Sequence, residues 1–244
     1  SRIWFVVWVA LLVYMLITRA QRVPYERDEI SWYFHTKFFD EALVHKRFDS
    51  YLWRGYESYD HPQVSKYIYG AYLYILNHEY ANERNSLERE YGRWAFYERM
   101  GDGQSISRLA FGPVIQTLRK INMATMLLIF AELYVLFYMV SGSIWFSLLY
   151  LTFVAVDRTF IPGITVITSD GHVVFFSLLA SILYGVSKRR GFIWLAAAGV
   201  ATALAAGSKL TGVFVFGAIV VSEIFYLLYP RVDRIITLKR ATLY

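Results

Sequence analysis

INMATMLLIFAELYVLFYMV, residues Ile121–Val140, decides the fold class, for its twenty residues carry a single charged side chain, Glu132. A helix that crosses the hydrocarbon layer needs about 20 mostly apolar residues. Five further blocks have the same character: Ile3–Thr18, Ser143–Val156, Gly171–Val186, Phe192–Gly207 and Thr211–Tyr229. The Ser143 block is short, which suits a tilted or broken span, or one covered by its neighbours. The 244 residues are 57% hydrophobic with a mean hydropathy of +0.37. Soluble domains are about 45–50% apolar, and here the excess sits in blocks. An all-α polytopic membrane protein with about six transmembrane helices is expected.

Outward from that span, charge orients the chain. Its net charge is +6, with Lys188, Arg189 and Arg190 in one short loop and Arg231, Arg234, Lys239 and Arg240 after the last block. Cytoplasmic loops collect Lys and Arg, so both clusters and both termini are expected inside. The positive balance then needs no nucleic-acid partner. The first block lacks a small-residue cleavage site at Ile17-Thr18-Arg19 and reads as a retained anchor. There is no Cys, which excludes disulfides, thiolate metal sites and a thiol nucleophile. The expected divisions are a first transmembrane helix (1–18), an extracytoplasmic loop with juxtamembrane helices (19–120), a five-helix bundle (121–229) and a basic tail or the start of a further part (230–244).

The long loop is structured. Arg27–Phe48 reads as an amphipathic helix with Phe34, Phe38 and Ala42 at helical spacing, and Trp32, Phe39 and Leu43 beside them. Tyr51–Tyr59 reads as a turn. Pro62–Leu76 reads as a second helix, its Pro placed where a missing N–H does no harm, with Val64, Ile68, Ala71 and Ile75 on one face. Asn77–Gly103 is polar and reads as surface helix and loop. The loop's dense aromatics favour the membrane–water boundary, either as interfacial helices or as a platform beside a lipid-linked substrate. In the Phe192 block, Gly199, Ala203 and Gly207 form a small-residue stripe that suits close helix packing.

Candidate chemistry is carried by few residues. Asp28 and Glu29 follow the first span; first-turn acids also simply favour a helix dipole. Asp60-His61-Pro62-Gln63-Val64-Ser65-Lys66 reads alone as a turn, a helix start and a surface Lys. Asp170 opens a span, where it suits a cap, but an ionisable residue near membrane depth is a functional candidate. Lys209 sits in a tight bend and can snorkel. Glu132 lies deep in a span; a transporter would set facing charges near mid-membrane.

Taken in order, these elements resemble the GT-C glycosyltransferases, and most of all the protein O-mannosyltransferase and aminoarabinose-transferase group. The D-E after the first span is met by Asp28-Glu29, and the H-P-P-containing segment loosely by Tyr59 to Lys66. The Arg before the second span is met by Arg119, and the acid opening a later span by Thr168-Ser169-Asp170-Gly171. The small-residue segment is met by Gly199 to Gly212, ending Gly207-Ser208-Lys209-Leu210-Thr211-Gly212. The second Pro is replaced by Gln63, Asn77–Gly103 resembles an insertion, and members of the group carry further spans.

The resemblance implies an enzyme that moves a sugar from a polyprenyl phosphate to a protein or lipid hydroxyl on the extracytoplasmic side, with inversion. Asp28 would be the base with Glu29 beside it, and Lys66 and Arg119 would meet the donor phosphate. Asp60, His61, Asp170 and Lys209 would support the site. It implies no cofactor and no metal ligands, although a divalent ion stays open. The expected surroundings are the bilayer of the plasma membrane or of the endoplasmic reticulum, the lipid donor, an acceptor, and other membrane subunits. The alternative is a non-catalytic subunit that keeps this scaffold inside a larger complex.

Overall fold

The computed structural model describes residues 2–24, 28–55, 58, 63–91 and 104–228. Among these the regular structure is helical. Helix α1 (Arg2–Gln21) is followed by α2 (Asp28–His35), α3 (Lys37–Phe39) with a π-helical turn (Asp40–Val44), and a 3-10 turn (Tyr51–Arg54). Next come α4 (Gln63–Leu76), α5 (Tyr80–Tyr91) and the 38-residue α6 (Gln104–Ser141). The bundle continues through α7 (Ile144–Val156), α8 (Phe160–Thr165), α9 (Asp170–Arg190), α10 (Phe192–Ser208), a 3-10 turn (Leu210–Gly212) and α11 (Val213–Leu228).

Among the described residues, three helices are long and apolar enough to cross a membrane: Ile3–Gln21, Pro113–Ser141 and Asp170–Arg190. Ile144–Val156, Phe192–Ser208 and Leu210–Tyr226 are shorter apolar helices. The outward faces carry exposed Trp4, Leu11, Phe153, Phe214 and Val221. Apolar surface on this scale is what lipid covers and water does not. The chain is an all-α membrane protein.

Local chemistry sets the helix ends. Gly142 and Gly191 turn the chain at φ 67° and 92°, where a side chain would be strained. Ser143 caps α7 by accepting from the Phe146 N–H at 3.3 Å. Lys188, Arg189 and Arg190 close α9, the end where cations suit the dipole. Asp157 accepts from Thr159 and from the Phe160 N–H, and these bonds hold its carboxyl below the usual range.

Two cores result. One lies inside the bundle, around Leu16, Met126, Ile129, Leu151 and Ile161. The other joins the loop helices to α6 through Ile30, Trp32, Tyr69, Leu73, Leu118 and Ile167. Several loop aromatics expected at the boundary are therefore interior, while Phe48 and Tyr51 are exposed.

Two sequence expectations change here. The Arg27–Phe48 helix is interrupted at Thr36, whose hydroxyl donates to the Tyr33 carbonyl at 2.7 Å; within it Phe38 and Ala42 are buried and Leu43 is exposed. On α4 the buried face is Ser65, Lys66, Tyr69, Gly70 and Leu73, with Val64, Ile68 and Ala71 only half-buried and Ile75 exposed. Hydropathy chose the wrong face because the polar one docks onto partners that satisfy it.

Candidate functional site

The site is built where the first turns of α2 and α4 meet α6 and the entry to α9. Glu29, in the first turn of α2, is completely buried. It receives Arg119 from α6 in a fork, Nε to Oε1 at 2.7 Å and Nη2 to Oε2 at 2.5 Å. Arg119 also donates to the carbonyls of Val23 and Pro24, both at 2.8 Å. The Ile167 N–H completes the cluster by donating to Glu29 Oε1 at 3.1 Å. One ion pair thus ties the exit of α1, the start of α2, α6 and the segment before α9.

Lys66 stands in the first turn of α4 and is completely buried, its ammonium 4.6 Å from the centre of the Phe38 ring. Next to it, Ser65 Oγ lies 3.2 Å from Nδ1 of His172 in the first turn of α9. Asp170, the first residue of α9, pairs with Lys209 at the end of α10. Both partners are partly exposed. The close pair needs α10 and the following turn to fold tightly, and Gly212 permits it, since a Cβ there would lie 2.3 Å from the Ala205 carbonyl carbon.

The sequence candidates therefore fall into groups. Glu29 pairs with Arg119 and Asp170 with Lys209, while the turn of α4 that carries Lys66 is tied to the first turn of α9 through Ser65 and His172. Arg119, expected at the donor phosphate, has four of its five N–H groups committed to protein acceptors. Asp28 opens α2, but its side chain lies outside the described residues, as do Asp60 and His61. Among the described residues no group of three or more His, Asp or Glu is placed to share a metal ion.

Sequence reading missed several participants. Tyr69 donates toward Asn122 Oδ1 at 2.9 Å and the Thr168 carbonyl at 2.8 Å. Burial pushes its phenol far above the ordinary range, so it remains a proton donor. His172 is buried, and its Nε2 meets no hydrogen-bond partner among the described residues. On the loop side, buried Asp40 accepts from Arg84 at 2.6 Å and from Tyr80. Asn122 offered one signal, an amide opening an apolar run three residues after Arg119. Arg84 offered none, because it sits in a stretch as polar as any solvated helix.

A family model for dolichyl-phosphate-mannose-protein mannosyltransferases matches residues 29–244. The chain belongs to that family. As a member it is a membrane glycosyltransferase of the mannosyltransferase type. No curated protein and no solved structure matches the chain significantly. The mannosyltransferase match begins at Glu29, directly after Asp28, and takes in Lys66, Arg119, Asp170 and Lys209.

Proposed function

We propose that this chain transfers a sugar from a polyprenyl-phosphate donor to a protein or lipid hydroxyl, on the extracytoplasmic face of the membrane. The observation that carries the reading is the family match running through residues that stand at one end of the bundle. The basic residues Lys188, Arg189 and Arg190 are exposed at the far end of α9, which favours a cytoplasmic position for that end.

In this reading Asp28 is the general base. Of the adjacent acids, Glu29 is occupied by Arg119 and the Ile167 N–H, so it orients the start of α2. Asp28 takes the proton of the acceptor hydroxyl. The oxygen attacks the anomeric carbon, the bond from that carbon to the phosphate oxygen breaks, and the lipid phosphate leaves with the electron pair. One displacement inverts the centre. Lys66 supplies positive charge toward the departing phosphate, where preorganised cations lower the barrier. Arg119 acts through Glu29, and Asp170 and Lys209 shape the wall contributed by α9 and α10. No resident metal is invoked, and the plasma membrane is the proposed location.

The test is transfer by the purified full chain from a panel of polyprenyl-phosphate sugars, the mannose derivative first. General acid–base catalysis is worth about 10²–10⁴-fold, so Asp28→Asn should lose that order of rate while remaining folded and inserted. An inert wild type across the panel, co-purifying in fixed ratio with other membrane subunits, would overturn the reading in favour of a non-catalytic subunit.

A further inference from the structure

Between α8 and α9 the chain runs through residues 166–169 as a non-helical strap, tied to the helices at its two ends by the Val166 N–H to the Pro162 carbonyl at 3.2 Å and the Val173 N–H to the Ser169 carbonyl at 3.0 Å. Open backbone within a membrane bundle is costly unless each group finds a partner. Here the partners are side chains from three separate elements. Asn122 of α6 donates to the Val166 carbonyl at 2.7 Å and toward the Thr165 carbonyl at 3.4 Å. Glu29 of α2 accepts the Ile167 N–H at 3.1 Å. Tyr69 of α4 donates to the Thr168 carbonyl at 2.8 Å, with Asn122 Oδ1 beside it at 2.9 Å.

Each gripping residue is within one helical turn of a site residue. Glu29 follows Asp28, Tyr69 is three residues after Lys66, and Asn122 is three residues after Arg119. The gripped strap leads directly into Ser169 and Asp170. Backbone satisfaction alone could be met by any donors or acceptors; the register to these three helices is the additional feature.

We infer that Tyr69 and Asn122 are positioning residues for the transfer: by holding the backbone of Thr165–Thr168 they set Asp170 and its Lys209 partner against the α2 and α4 turns that carry Asp28 and Lys66. This rests on the function proposed above. Neither residue is assigned contact with substrate.

The chain's lack of cysteine makes a direct readout available. Ser169 is 3% exposed, so in the full chain in nanodiscs Ser169→Cys is a buried, sole thiol. With the strap gripped it should react slowly with a membrane-impermeant maleimide. Tyr69→Phe, which removes only a hydroxyl, and Asn122→Leu should each speed that reaction about tenfold. Misplacing a catalytic wall by about 1 Å can cost 10²-fold, so kcat should fall about ten- to hundredfold with donor KM little changed. Asp170→Asn should add little to Asn122→Leu, because coupled residues are non-additive. Wild-type thiol reactivity in both variants, or a freed thiol with unchanged kcat, would overturn the inference. If wild type transfers no sugar, the transferase reading falls and the positioning role with it. An active wild type with an unmoved thiol overturns the positioning role alone.

Discussion

Arg119 shows what residue-scale geometry adds to residue type. An arginine just before an apolar span suits an anionic donor, and the sequence offers nothing against that. In the fold its guanidinium is gripped by Glu29 and by two carbonyls at the exit of α1, because a planar fork matches a carboxylate. Removing one partner of a buried pair typically costs about 3–5 kcal/mol. Glu29 is completely buried and Arg119 is 18% exposed, so Arg119→Ala should destabilise by about 3 kcal/mol. Arg119→Lys should recover only part, since one ammonium cannot bridge these acceptors. Denaturation midpoints in detergent measure both. Wild-type midpoints combined with lost transfer would return Arg119 to the donor phosphate. The acids and cations of the site were legible because charge beside an apolar span is conspicuous. Tyr69 and Ser65 were not, because a tyrosine or serine on a helix resembles any other until its partner across the fold is known.

At the scale of elements, helix existence was legible and facing was not. The stripe of Gly199, Ala203 and Gly207 suggested the packing side of α10. Its buried side is instead Ala198, Ala201, Thr202, Ala205 and Ser208, while Gly199 has open space around it and Gly207 meets Val64 of α4. Both sides of this helix are lined with small residues, so spacing alone could not choose between them. The same geometry grades three substitutions. Gly199→Ala should be neutral or slightly stabilising, because alanine is the better helix former. Gly70→Ala would put its Cβ 2.3 Å from Phe39 Cβ, forcing α4 off α3 and lowering transfer through Lys66. Gly212→Ala meets backbone atoms of Ala205 and Ala206, which cannot swing aside, so it should be the most disruptive and should separate Lys209 from Asp170. Thermal stability and transfer rates of the three should follow that order, and a Gly199→Ala loss equal to that of Gly212→Ala would contradict the packing described.

For the whole molecule, the connections alone fix an alternation of helix direction. Arg19 at the end of α1 donates to the Ala155 and Asp157 carbonyls at the end of α7. Asp170 at the start of α9 meets Lys209 at the end of α10, and Arg119 precedes the apolar part of α6. One end of the bundle therefore collects the exits of α1, α7 and α10 and the entries of α6, α9 and α11. The opposite end holds the Gly142 turn and the Lys188–Arg190 turn. Loop basicity favours the second end as cytoplasmic, which would place α5 and the Glu29–Arg119 clasp outside. Single cysteines at Asn85 and Arg189, both exposed, test this in the otherwise cysteine-free chain. In intact cells an impermeant maleimide should label Asn85→Cys at once and Arg189→Cys only after permeabilisation, with Gly142→Cys following Arg189→Cys. Were Arg189→Cys and Gly142→Cys labelled from outside and Asn85→Cys protected, the site would face the cytoplasm. A lipid-linked donor would then have to present its sugar on that side. Labelling of Gly142→Cys and Arg189→Cys from opposite sides would instead contradict the alternation itself, and with it the gathering of Arg119, Asp170 and Lys209 at a single membrane surface.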